Sequence, residues 1–306
     1  YQYSLSFKNW PYMENNINYF RGVILVLLAG TLWSTVGIAV RLIEQASVWQ
    51  ILFFRSISLS IFLYIVIYFN SKGKLATLIR DNFSSYLYGG IALFFAYAGG
   101  IYSIQNTSVA NAMLLFGSAP IITAILSTFI IKEQLTVVTI ISIIFAFLGI
   151  LLMVFQETSG NSLNGNIAAL ASAFAFALFT INLRYRKDIQ MLPSIFVSGI
   201  VGILLTSIIL WVNKTGLVLP KNDVLIALSM GVFQVGSGLV LYTLGSRAVP
   251  ATQLTILSMG EVLLGPVWVW IFLNEETTSA TIIGGTILLT AIIFNAVYGR
   301  SSENLN

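Results

Sequence analysis

Glu133-Gln-Leu-Thr-Val-Val-Thr-Ile-Ile141 returns, 142 residues later, as Glu275-Glu-Thr-Thr-Ser-Ala-Thr-Ile-Ile283, with five identities in nine. Each copy is a short polar stretch, Glu first, that runs into an apolar segment. Shifting the whole chain by 142 lays every long apolar segment of the first half on one of the second. Such an internal repeat decides the architecture. Crossing the hydrocarbon takes about 20 mainly apolar residues. Read for that length, the chain has ten spans, at 22–42, 48–69, 85–104, 109–130, 136–155, 165–184, 192–212, 224–246, 250–273 and 278–298. Five spans per repeat is an odd number, so the two halves enter the membrane from opposite sides. The expected fold is an all-α integral membrane protein of ten transmembrane helices in two inverted five-helix repeats. That arrangement has two nearly equivalent states, one open to each side, which is a transporter's architecture. A chance match between apolar helices is the alternative, and the constant offset over all ten spans argues against it.

The repeats are read as 22–155 and 165–298, joined by the polar linker 156–164 and flanked by tails 1–21 and 299–306. The longest loops, around Ser71–Ser84 and Trp211–Val224, leave no room for a soluble domain. Residues 1–21 lack the layout of a cleavable signal peptide. Lys8, Arg21, Lys72, Lys74, Arg80, Lys132, Arg184, Arg186, Lys187, Arg247 and Arg300 fall on one side; Arg41, Lys214 and Lys221 fall on the other. Eleven against three places the first side, with both termini, in the cytoplasm. The expected location is a plasma membrane or cell inner membrane.

Composition agrees. Of 306 residues, 57% are apolar and 8% charged, and the mean hydropathy is +0.90. A soluble domain carries about 25% charged residues. There is no Cys and no His. Thiolate chemistry, disulfides and the usual zinc and haem sites are therefore excluded, and imidazole acid–base chemistry with them. No phosphate-binding loop, GxSxG or HExxH is present. No cofactor, no metal and no catalysis are expected. The net charge of +4 is spread over loops rather than gathered in one patch, so no nucleic-acid partner is expected.

Against this background, Gln253–Glu275, QLTILSMGEVLLGPVWVWIFLNE, resembles the signature near the end of EamA-type members of the drug/metabolite transporter superfamily. There a helix with a Glu and a Pro runs into a final Leu-x-Glu. Ala119-Pro120 through Ile131-Lys-Glu133 is similar, as are Leu32-Trp33, Arg55, Gly231–Gln234 and Arg247–Ala251. The resemblance covers about 22–298. Val262 follows Glu261 where many members carry Pro, with Pro266 further on. The resemblance implies a ten-helix carrier of small organic solutes, with helices one to four and six to nine around a central cavity. Members include exporters of amino acids and other metabolites.

Polar residues at membrane depth are costly and so are buried against something or functional. Glu261, near the middle of span nine, is the one acid deep in a span. There it finds a positive partner, takes up a proton, or ties helices together. It is the candidate for proton coupling as well as for substrate binding. Arg55, two turns into span two, either snorkels outward or holds an anion or an acid. Neither has a repeat partner: Glu261 falls on Ala119 and Arg55 on Val197. That asymmetry favours function over scaffold. Trp33, Tyr97, Asn111, Gln234, Tyr242 and Trp268 share their depth and complete the candidate binding set, although each taken singly is equally explained by packing. Pro120 and Pro266 are read as helix breaks. A carrier of small organic metabolites such as amino acids or amines, proton-linked and monomeric or weakly dimeric, fits best. A channel would want polar rings along a pore, an enzyme a cluster of acids, and a receptor or scaffold larger soluble parts.

Overall fold

The computed structural model describes residues 18–70, 75–106, 112, 115–154, 163–187, 189–273 and 279–299. Among them all regular structure is helical. Most of both tails, nearly all of the linker, Asn111 and Glu275 lie outside the described residues.

The chain runs through α1 (Tyr19–Trp33), α2 (Val36–Arg41), α3 (Val48–Asn70), α4 (Leu75–Asp81), α5 (Phe83–Asn106), α6 (Ala119–Ile130) and α7 (Val137–Val154). It continues through α8 (Leu163–Tyr185), α9 (Leu192–Val212), α10 (Lys221–Ser229), a π-helical stretch Met230–Gly236, and α11 (Ser237–Gly245). It ends with α12 (Ala251–Ser258), α13 (Gly260–Leu273) and α14 (Ser279–Tyr298). Among the described residues seven segments are long and apolar enough to cross a membrane: Tyr19–Val40, Val48–Phe69, Phe83–Asn106, Leu163–Tyr185, Leu192–Val212, Lys221–Gly245 and Ala251–Phe272. Ala119–Ile130, Val137–Leu152 and Ile282–Tyr298 are shorter apolar helices.

Lipid outside inverts the usual pattern. On α1 the outward residues are large and apolar, Phe20, Ile24 and Leu28, while Gly22, Val26, Ala29, Gly30 and Trp33 face inward. Asn18 starts the helix by accepting from the Arg21 N–H at 2.9 Å. Hydroxyls end it. Thr31 Oγ1 donates to Leu27 O, Ser34 Oγ to Thr31 O and Thr35 Oγ1 to Leu32 O, so side chains compete with the ladder and divide α1 from α2.

Helix packing follows one plan. The α1 helix packs on α11, and α8 on α5; α1 also meets α12, and α8 meets α6. The pairs α3–α9, α6–α12 and α7–α14 each join one half to the other. Small residues make the closest approaches possible. A β-carbon on Gly149 of α7 would sit 2.7 Å from Gly284 O of α14.

Breaks fall where the repeat offset relates them. The turn at Gly117–Ser118 precedes α6, and the turn at Met259 separates α12 from α13, 142 residues on. Pro120 stands in the first turn of α6, where its missing N–H costs nothing. Pro266 does not break its span, contrary to the sequence reading. The α13 helix runs through it from Gly260 to Leu273. The interruption comes at Met259, where the Met259 N–H bonds to Ile256 O and the Val262 N–H to Met259 O in tight three-residue steps. A proline removes one backbone donor, and a membrane helix absorbs that loss by local adjustment.

Candidate functional site

Trp33 closes the last turn of α1 and stands in an aromatic layer. Its ring lies 5.2 Å from that of Tyr242 on α11 and 5.9 Å from that of Phe176 on α8. Phe176 in turn lies 5.5 Å from Tyr242 and 5.8 Å from Phe116. Gly238 makes room for the indole, because a β-carbon there would collide with Trp33 Nε1. Tyr242 is fully buried and its hydroxyl pairs with Thr180 Oγ1 at 2.8 Å. The layer spans α1, α8 and α11.

Polar groups gather beside it. Gln234 sits in the π-helical stretch and donates through Nε2 to Trp33 O at 3.2 Å, while its buried Oε1 has no partner. Ser237 Oγ reaches Val232 O, five residues back. A π turn costs hydrogen-bond geometry and is frequent at functional positions. Trp268 Nε1 donates to Ser34 Oγ at 2.7 Å, which links α13 to the residue after Trp33. Glu261 begins α13 directly after the Met259 break. Its N–H passes 3.5 Å from where a β-carbon on Gly30 would sit. The carboxylate is half-buried and makes no hydrogen bond or ion pair among the described residues. β-Carbons on neighbouring Gly260 and on Gly37 would meet nothing within 4 Å, so this level borders open space.

Arg55 and Tyr97 form a second cluster. Arg55 is 2% exposed, which removes the outward-snorkelling reading. Its guanidinium carbon lies 4.3 Å above the Tyr97 ring, within cation–π range. Tyr97 donates to Ser198 O on α9 at 3.0 Å. Trp33, Gln234, Tyr242, Trp268 and Glu261 are thus brought together around the end of α1. Arg55 and Tyr97 stand apart from them, between α3, α5 and α9.

The ends of the bundle are tied by polar contacts that periodicity does not reveal. At the Tyr19 end, Arg184 Nε and Nη2 both bond Glu133 Oε1 at 2.8 Å. Glu133 Oε2 accepts the Ala251 N–H at the start of α12, and Arg184 Nη1 donates to Ser246 O and Arg247 O past the end of α11. One ion pair therefore fastens α8, α11, α12 and the α6–α7 turn. Lys132, with φ 55°, makes that turn. Nearby, Ser127 Oγ lies 3.2 Å from Thr252 Oγ1 and Tyr19 donates to Gln253 Oε1. At the Asp223 end, that carboxylate accepts the N–H groups of Glu44, Gln45 and Ala46. Arg186 does the corresponding work at the Tyr19 end by reaching Asn82 Oδ1 and Ser85 Oγ.

The profile of the EamA-like transporter family matches this chain twice, over residues 20–155 and 163–297. The chain belongs to the EamA-like transporter family. It is a multi-pass membrane protein and a transporter. It is 24% identical over 290 residues to human solute carrier family 35 member G1, which covers 88% of this chain and 77% of the human one. It is 25% identical over 200 residues to a Methanothermobacter thermautotrophicus protein named an uncharacterized transporter, covering 62% of this chain and 57% of that relative. A solved crystal structure superimposes with a TM-score of 0.76 at 14% identity over 89% of this chain and 95% of the other, so the two share a fold. Among the described residues of this EamA-like transporter, no group of three or more His, Cys, Asp or Glu could hold a metal ion.

Proposed function

We propose that this transporter is a secondary-active carrier, an exporter or exchanger, of small organic metabolites such as amino acids or amines. It works by alternating access between two inverted five-helix repeats, 22–155 and 165–298, joined by 156–164. The observation that carries the reading is the placement of Glu261: a half-buried, unpaired carboxylate beside an aromatic layer, directly after a helix break, next to open space. Aromatic faces with sparse polar groups suit a small organic solute.

The helix pairing supports the inverted repeat. Exchanging each helix of one half for its counterpart in the other turns α1–α11 into α8–α5 and α1–α13 into α8–α6, and leaves α3–α9 and α7–α14 in place. The Asp223 and Arg186 clasps are related in the same way, because Asp223 lies 142 residues after Asp81, the neighbour of Asn82. The two family matches begin and end within two residues of the proposed repeats. On this reading the Tyr19 end is cytoplasmic, with residues 1–21 and 299–306 on that side of the cell membrane. The Glu133–Arg184 pair and the Trp33 layer close it, and the path to Glu261 opens outward. Protons couple through Glu261, and the carrier acts as a monomer or weak homodimer.

Trp33→Ala tests the site. Truncating a central Trp costs about 2 kcal/mol or more of binding, a loss of about thirtyfold in affinity. Trp211, 81% exposed at the end of α9, is an interfacial anchor, and Trp211→Ala should leave affinity within about twofold. Solute affinity in detergent, read by thermal shift on both variants, checks this. Equal effects, or none at Trp33, would remove the aromatic layer from the binding site.

A further inference from the structure

Arg55 presents an unbalanced charge. Its Nη2 is enclosed with no hydrogen-bond acceptor, and no described carboxylate lies within ion-pair distance. The Tyr97 ring over which the guanidinium lies is fixed by its own bond to Ser198 O, so the cation is held in one place. Cation–π attraction returns only part of what dehydrating a guanidinium costs. The difference calls for an anion. The unused charged donor suits a carboxylate oxygen. A phosphate dianion would leave a net negative charge against this single Arg. The fold does not demand the feature, since the repeat counterpart of Arg55 is Val197.

We infer that Arg55, backed by Tyr97, forms the anion subsite of the transported solute, and that this solute carries a carboxylate. The inference rests on the carrier reading and decides between its two solute classes, because plain amines leave this subsite empty.

Matched probes differing only in the carboxylate test it: alanine and ethylamine, leucine and isoamylamine, phenylalanine and phenethylamine, each titrated against the full-length protein by thermal shift. At least one carboxylate-bearing probe should bind about tenfold or more tighter than its amine. Arg55→Gln should weaken that probe by about ten- to a hundredfold, the span of a charged hydrogen bond of about 1.5–3 kcal/mol. It should leave the amine unchanged, bringing the ratio towards one, and Arg55→Lys should restore part of the difference. Amines binding as tightly as their partners in the wild type overturns the inference even if Arg55→Gln does not fold. So does a ratio that survives in Arg55→Gln, or a wild type that responds to no probe of either series. Saturable flux of the amines alone would overturn the subsite and leave the carrier reading standing. That reading fails separately, by the absence of saturable flux for any solute.

Discussion

Glu261→Gln removes proton-driven flux while the protein still folds and inserts. The substitution keeps the shape of the side chain and imitates its protonated form. No described side chain neutralises the carboxylate, and the neighbouring groups are aromatic or neutral: Trp33, Tyr242, Gln234 and Trp268. A proton and a solute ammonium then compete for one group, which couples their movements. Losing a charged hydrogen bond to the solute costs about 1.5–3 kcal/mol, so flux falls about ten- to a hundredfold and its dependence on a pH gradient disappears. Flux into proteoliposomes with and without a pH gradient measures both. Normal, pH-dependent flux in Glu261→Gln would make the residue one of packing, and proton coupling would go with it.

Glu133→Gln opens the Tyr19 end. The amide can still accept from the Ala251 N–H, but the two charged bonds from Arg184 are lost. The pair is only partly buried, at 11% and 16% side-chain exposure, so its contribution lies between that of a surface pair and that of a buried one. About 1.4 kcal/mol or more is expected, a tenfold shift towards the state open at that end. The chain has no Cys, so a single introduced thiol reports cleanly. Ser258→Cys is suitable: fully buried, one turn before Glu261. A membrane-impermeant thiol reagent applied from the Tyr19 end should label it about tenfold faster in Glu133→Gln, and likewise in Arg184→Gln. Unchanged rates would make the ion pair a fixture of both states.

The sequence carried the helical membrane class, the family and the residues around Trp33, because each leaves a local or periodic trace. Hydrophobic length marks a span. Glu261 and Gln234 are conspicuous among apolar neighbours. The misplaced break has a physical cause. Proline is a local signal, whereas the break at Met259 falls where α12 and α13 pass α1 at Gly30, a tertiary meeting with no local mark. Phe116 and Phe176 carry no sequence signal, because a phenylalanine in an apolar span looks like packing until its partners are known. Phe176 lies in the Ala-rich α8, and only the meeting of α8 with α11 gives it a role. The Glu133–Arg184 pair joins residues 51 apart, and charges counted as loop charges say nothing of each other. The burial of Arg55 was equally illegible, since its stem is long enough either to snorkel or to fold onto Tyr97. The π stretch at Met230–Gly236 has no sequence pattern that separates it from an α-helix.

Solute counterflow tests the central claim most directly. Proteoliposomes are loaded with a millimolar unlabelled solute that shifts the melting temperature, then diluted into a trace of the labelled form. A carrier that exposes one site alternately to each side returns with label more often than it exports label. Internal label should then rise above its equilibrium level and fall back as the gradient of unlabelled solute decays. Trp33→Ala should flatten that transient. A rise that approaches equilibrium without overshoot, at every loading concentration, would mean an open path through the protein and would contradict alternating access.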